Sequence, residues 1–271
     1  MQNRSIPAQR RNEILSHLEK NQFVRSSTLS EILLVSEATI RRDLEILENQ
    51  GVVERTHGGA MLSYHMQSEP AFLASKETFS YEKECIGAAA ANFVESGDTV
   101  FINFGTTNTQ VARQLKSHSE LEEVTIITNN ISVLLELQDS PSFNIVCLGG
   151  RYRFHSNSLV GAFTMKTLEG VYASKAFIGV DGISPKYGCT TPVETDAEIS
   201  QKMIENTSGR IFVVADNSKW GVVSNFKVAA LNRISTWITD DKLSQDARTI
   251  LEVIPVEVVI AEPMRRLSEP K

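Results

Sequence analysis

Apolar residues recur at helical spacing through the first part of the chain. Ile14, Leu15 and Leu18 predict a first helix over residues 8–20, and Leu29, Ile32 and Leu33, all turned inward, predict a shorter one over 27–34. A third helix opens at Ser36, a good N-cap residue, with Glu37 placed where the helix dipole favours an acid. Its stripe of Ile40, Leu44 and Leu47 repeats at i, i+4, i+7, and Gly51 supplies the left-handed residue that ends helices. The period then changes. Residues 52–56 alternate as a strand, His57-Gly58-Gly59 turn the chain, and 60–62 run back. Three helices and a β-hairpin, with the second and third helices joined tightly through Val35-Ser36, make a winged helix-turn-helix. Ala38, Thr39, Arg41 and Arg42 are left on the first two turns of the third helix, the turns that enter a major groove.

Residues 63–76 are polar, include Pro70 and keep no period, so they read as a linker. The chain divides into a DNA-reading unit over 1–62, a connection over 63–78 and a larger unit over 79–271. In that unit an Ala-rich helix over 83–94 turns Ile86, Ala89, Ala90 and Phe93 inward, and Ser96-Gly97-Asp98 leads into a strand over 99–102. Further strands are predicted near 124–128, 143–148, 176–180, 211–215, 236–239 and 256–260, with helices between most of them. Short apolar strands alternating with helices predict an α/β domain, its mainly parallel sheet covered on both faces.

A formal charge of -6 over 271 residues argues against a general coat for nucleic acid. The distribution alters that picture: residues 1–60 hold eight Lys/Arg and eight Asp/Glu, against 19 and 25 in the rest. The acidity belongs to the larger unit. A neutral reader needs its cations placed locally, and the candidates are Arg4, Arg10, Arg11, Arg25, Arg41, Arg42 and Arg55. Cys85, Cys147 and Cys189 lack C-x-x-C spacing and sit among apolar or small residues, so they read as buried reduced thiols. The histidines show no paired metal spacing, and no metal or other cofactor is expected. The N-terminal stretch lacks the apolar core of a signal peptide and no segment approaches the length of a membrane span, so the expected location is the cytoplasm.

Open parallel sheets bind ligands beyond the carboxyl ends of their strands. Here those ends are small and polar: Asn103-Phe104-Gly105-Thr106-Thr107-Asn108, Thr128-Asn129-Asn130, Gly149-Gly150-Arg151, Gly179-Val180-Asp181-Gly182, Asp216-Asn217-Ser218-Lys219 and Thr239-Asp240. Hydroxyls, helix-opening amides and a lysine suit a phosphate, while carboxylates and side-chain amides suit sugar hydroxyls. Converging on one edge, they predict a pocket for a phosphorylated sugar or polyol.

The segments RRNEIL, VSEATIRRDLEILENQGVVERTHGGA, KECIGAAAANFVESGDTVFINFGTT, ITNN, LGG, FIGVDGI and VVADNSKWG together resemble the DeoR family of bacterial transcription regulators over nearly the whole chain. The resemblance implies a winged helix-turn-helix followed by a sensor domain similar in fold to ribose-5-phosphate isomerase. It implies that Ser36, Glu37, Thr39, Arg41 and Arg42 lie at an operator, with Arg55 and His57 of the wing nearby. It implies that Gly105, Thr106, Thr107 and Lys219 hold an effector phosphate. Asn103, Asn129, Gly150, Asp181 and an acid of the Glu194-Thr195-Asp196-Ala197-Glu198 segment would surround the rest. The chain departs from the family at Asn103, where Asp is usual, and at Asn217, where Ser is more common.

The expected function is a ligand-responsive repressor of carbohydrate genes. It would act as a homodimer or tetramer, because two half-sites need two recognition helices at fixed spacing. One rival is a sugar-phosphate isomerase with a DNA-binding appendage, in which Asp181, Glu194, Glu198 and Lys219 move protons beside a carbonyl. Another is an architectural DNA binder whose second domain only oligomerises. A reader gains nothing by consuming its signal, so no catalysis is expected.

Overall fold

The computed structural model describes residues 7–21, 23–49, 53–56, 58–62 and 72–264. At the N-terminal end, α1 (Pro7–Asn21), β1 (Phe23–Arg25), α2 (Ser26–Ile32), α3 (Glu37–Asn49), β2 (Val53–Thr56) and β3 (Gly59–Leu62) enclose one core. The strands form an antiparallel sheet in the order β1-β3-β2. The predicted stripes meet there: Ile14, Leu18, Leu29, Ile40, Leu44 and Leu47 are buried together with Val24, Val53 and Ala60. Ile32 departs from the expected inward position. α2 is just under two turns long, and the chain leaves it through Leu34 in the left-handed region (φ 54°), so Ile32 is 47% exposed. Strand β1, at three residues, is too short to show alternation and escapes sequence reading. Gly51, His57 and the linker positions 63–71 lie outside the described residues.

The rest of the expected linker is helical. α4 (Phe72–Glu77) leads into α5 (Ser80–Ala91), and the larger domain continues through β4 (Thr99–Ile102), α6 (Thr106–Leu115), β5 (Val124–Thr128), α7 (Ile131–Leu137) and β6 (Phe143–Cys147). A hairpin of β7 (Arg151–Arg153) and β8 (Ser158–Val160) precedes α8 (Ala162–Leu168) and β9 (Ala173–Ile178). Then come β10 (Gly182–Ser184), β11 (Gly188–Thr191), α9 (Glu194–Glu205), β12 (Thr207–Val214), β13 (Phe226–Ala229), β14 (Thr236–Thr239), α10 (Gln245–Leu251) and β15 (Glu257–Ile260). The seven predicted strands are those of one parallel sheet, in the order β15-β14-β12-β9-β4-β5-β6.

Successive residues on these strands bury to opposite faces, as the pleat requires. Phe101, Ile127, Ile178 and Val213 pack into the cluster under α8, α9 and α10. Ile102, Ile126, Phe177 and Val214 enter the cluster under α5, α6 and α7. Cys85 and Cys189 are buried and Cys147 is half-buried, all with free thiols; burial pushes the Cys189 thiol up to about 12.

Candidate functional site

The sheet changes direction at β4, with β5 and β6 to one side and β9, β12, β14 and β15 to the other. Such a switch point opens a crevice beyond the strand tips, because the neighbouring connections leave toward opposite faces. The tips of β4, β9 and β12 meet there in a cleft lined by Phe104, Gly105, Thr106, Thr107, Gly179, Val180, Asp181 and Lys219. Further walls come from Phe72 and Ser75 of α4, Lys83 of α5, His155 and Ser156 between β7 and β8, and Asp196 of α9.

Gly105 holds φ 109°, a conformation that L side chains rarely adopt, and so turns β4 directly into α6. The first intrahelical bond runs from Thr109 N to Gly105 O at 3.2 Å. The amides of Thr106, Thr107 and Asn108 precede it and form the positive, open end of the helix. Lys219 ends the 3-10 turn Asn217–Lys219. Lys83 is 5% exposed, and its Nζ donates to Ser75 O at 2.5 Å and Thr78 O at 2.8 Å. Burial holds the Lys83 amine below the ordinary lysine range, and the Lys219 charge acts the same way against Asp216 and Asp181. Asp181 Oδ2 accepts from Thr191 Oγ1 at 2.7 Å, and Asp196 Oδ2 lies 3.4 Å from Arg153 Nη1. The cleft thus offers two lysines, a helix end and two carboxylates.

Five residues expected around the effector lie elsewhere. Asn103 is fully buried: Oδ1 accepts from Gly179 N at 2.7 Å and Asn108 Nδ2 at 2.6 Å, while Nδ2 donates to Gly179 O at 3.2 Å and Ser200 Oγ at 2.9 Å. All four hydrogen-bonding positions of its amide are occupied, so it fastens β4 to β9 and has nothing left for a ligand. Asn129, also buried, donates from Nδ2 to Leu159 O at 3.1 Å, and Leu159 N returns a bond to Asn129 O at 2.8 Å, which fixes β8. A Cβ on Gly150 would stand 2.2 Å from Thr164 Oγ1 and 2.8 Å from Val160 O, so this glycine serves a close backbone approach away from the cleft. Glu194 and Glu198 are exposed, because the 100° step of α9 turns Asp196 and Ser200 inward instead. The acid of this segment at the cleft is Asp196.

Lys83 escaped the sequence reading. It shares a helix face with Ile86 and Ala90 at i, i+3, i+7, so a lysine on an apolar stripe was the available signal.

On the smaller domain, Ser36 Oγ accepts from Thr39 N at 3.3 Å and lies 2.9 Å from Thr39 Oγ1, the expected cap of α3. Arg41 Nη2 pairs with Glu37 Oε2 at 3.0 Å on the exposed face, and Arg55 Nη1 lies 3.8 Å from Glu48 Oε2. Arg42 is exposed and has no side-chain partner among the described residues. Arg10 is not an open cation: its Nε donates to buried Asp43 at 2.6 Å, with Arg11 Nη1 3.6 Å from the same carboxylate. These two fasten α1 to α3. Arg4 lies outside the described residues. Arg25, Glu37, Arg41 and Arg55 also line a groove whose far wall is Pro185 and Lys186 of the β10–β11 turn with Thr249 and Val253.

A helix-turn-helix unit followed by an α/β domain with a polar cleft at its switch point has the architecture of a two-domain transcription regulator. Residues 10–64 match the DeoR-like helix-turn-helix domain, and residues 78–241 match the DeoR C terminal sensor domain. The chain belongs to the DeoR family of transcription regulators. It is 33% identical to the HTH-type transcriptional repressor GlcR of Bacillus subtilis, over 92% of this chain and 94% of that protein. It is 30% identical to a putative aga operon transcriptional repressor of Escherichia coli O157:H7, over 93% of each. It is 32% identical to the uncharacterized HTH-type regulator YulB of Bacillus subtilis, over 96% of this chain and 99% of that one. In fold it is similar to ribose 5-phosphate isomerase A of Methanocaldococcus jannaschii, 16% identical with a TM-score of 0.39 over 53% of this chain and 55% of that one. Among the described residues no helix is long and apolar enough to cross a membrane.

Proposed function

We propose that this chain is a cytoplasmic repressor of carbohydrate genes whose operator affinity is set by a phosphorylated sugar or polyol in the cleft at the β4–β9 switch point. The observation that carries the reading is the meeting of Lys83 and Lys219 with the open end of α6 in one cleft. Gly105, Thr106, Thr107 and the two lysines receive the phosphate, whose charge the helix end and the ammonium groups favour. Asp181 and Asp196 accept from hydroxyls. Ser36, Glu37, Thr39, Arg41 and Arg42 meet the operator, and Arg55 and His57 of the wing meet its flank. Two copies or more act together, one recognition helix per half-site. Residues 1–62 form the reader, and the sensor and oligomerisation unit begins at 79, with α4 closing its cleft.

A thermal-shift screen of the full chain against phosphorylated sugars, polyols and amino sugars, each beside its unphosphorylated counterpart, tests the reading. A ligand at a hundredfold excess over its Kd adds about 2.7 kcal/mol, which raises Tm by roughly 5–10 °C. That rise is expected for one or more phosphorylated compounds and absent for their counterparts. Equal response to both forms overturns the phosphate site.

A further inference from the structure

The turn that brings Lys219 to the cleft also forms a wall against the DNA-binding domain. Asn217 and Ser218, before Lys219, and Trp220, after it, line a groove whose other side is built by Phe23, Thr28 and Ile32. The exposed Ile32, unexplained by its own core, belongs to this groove. Phe23 is a residue of β1 and 4% exposed, yet it is buried in the apolar cluster of the larger domain that contains Trp220 and Trp237. The two indoles stack with centroids 5.7 Å apart. Trp220 also bridges to Ile183, two residues past Asp181, and Gly221 N donates to Ile183 O at 2.8 Å. Lys219 and Asp181 therefore stand on one hydrogen-bonded unit, and Trp220 at the end of that turn shares its buried cluster with Phe23.

We infer that Phe23 and the turn ending in Trp220 are the relay through which the cleft acts on the recognition helix. The inference rests on the effector reading given above. An anion that draws in Lys219 shifts the turn, and the shift reaches Phe23 through the buried cluster that Phe23 shares with Trp220 and Trp237, because close-packed side chains move together. β1 pairs with β3 and precedes α2 directly, so a displacement of Phe23 reorients the helix-turn-helix as a body. The same motion alters the groove in which Pro185 and Lys186 stand across from Glu37 and Arg41.

The chain has two tryptophans, both in this cluster, so intrinsic emission reports on the relay. The experiment uses full-length protein, a duplex selected from a random pool, and inorganic phosphate, ribose 5-phosphate and glucose 6-phosphate as probes. In the parent, a probe that raises Tm is expected to change tryptophan emission and to alter duplex Kd about 5–150-fold, the usual range of allosteric coupling. Phe23→Ala is expected to keep the rise in Tm and the Kd for duplex without probe within about threefold, while the effect of the probe on Kd falls below twofold. Phe23→Leu retains an apolar wedge and is expected to restore most of the response, which guards against a merely misfolded alanine variant. Undiminished coupling in Phe23→Ala overturns the relay, as does a probe that raises Tm in the parent and leaves its emission unmoved. If no phosphorylated sugar, polyol or amino sugar of the thermal-shift panel raises Tm, the effector reading fails by itself; emission that also ignores duplex binding then overturns the contact between the turn and the reader.

Discussion

Asn103 and Gly179 bond each other twice: Gly179 N donates to Oδ1 at 2.7 Å, and Nδ2 donates back to Gly179 O at 3.2 Å. The pair ties the tip of β4 to the tip of β9 across the switch point, just beyond the last register pair, Ile102 with Phe177. Asn103→Ala leaves Gly179, Asn108 and Ser200 without these bonds in a fully buried place, at a cost of roughly 2–4 kcal/mol. Thermal unfolding without ligand is expected to fall by several degrees. A direct effector contact would instead lower affinity and leave the unliganded Tm in place.

The acids of α9 make a sharper contrast. Asp196 is 1% exposed and lines the cleft, whereas Glu194 and Glu198 are exposed on the other side of the helix. Asp196→Asn is expected to weaken the effector at least tenfold in a calorimetric titration, while Glu194→Gln and Glu198→Gln stay within about twofold of the parent. A large effect at Glu198 would return the acid role to that residue.

These cases mark where the sequence was legible. Short apolar runs located all seven strands of the main sheet, and the capped, striped segment at Ser36 located α3, because burial acts directly on the pattern of residues. Of the six strand tips the sequence singles out, those after β4, β9 and β12 line the cleft, and those after β5, β6 and β14 do not. What spacing does not carry is how far a tip side chain is already committed. Asn103 and Asn129 look like ligand donors in a string of letters and prove to be internal fasteners. The β7–β8 hairpin and α4 supply His155, Phe72 and Ser75 to the cleft, yet as elements of three and six residues they leave too short a pattern to read.

Lys83 gives a prediction in pH. Burial lowers its folded-state value below that of the unfolded chain, so between the two values the unfolded state binds more protons and stability rises with pH. A phosphate beside the ammonium reverses that preference. Effector affinity is therefore expected to decline as pH climbs through the lowered value, while an ordinary lysine is still charged. In Lys83→Met the decline disappears and affinity at neutral pH drops about 10–100-fold, the equivalent of one charge-assisted bond. Calorimetric titrations from neutral to alkaline pH read both effects, and an unchanged profile in the variant removes Lys83 from the phosphate.

Arg10 and Arg42 carry the same charge on the smaller domain to different ends. Arg10 is 9% exposed and holds Asp43, a buried acid of α3, so its charge is used inside the protein. Arg42 comes directly after Arg41 and six residues after Ser36, which caps the helix, and it is exposed with no side-chain partner among the described residues. Asp43→Ala leaves a guanidinium without its acid near the core, which costs somewhat less than the roughly 3–5 kcal/mol of a fully enclosed pair and is expected to lower Tm before it touches any DNA contact. Arg42→Ala is expected to leave Tm and the effector-induced shift unchanged while raising operator Kd about 5–150-fold, equivalent to 1–3 kcal/mol. A salt titration separates its two modes of contact. If Arg42 grips a phosphate, the variant loses about one unit of slope in log Kd against log salt and weakens alike on all duplexes; if it reads a base edge, the slope holds and discrimination at one base pair is lost. Operator affinity equal to that of the parent in a gel-shift titration would place the reading surface elsewhere on the domain.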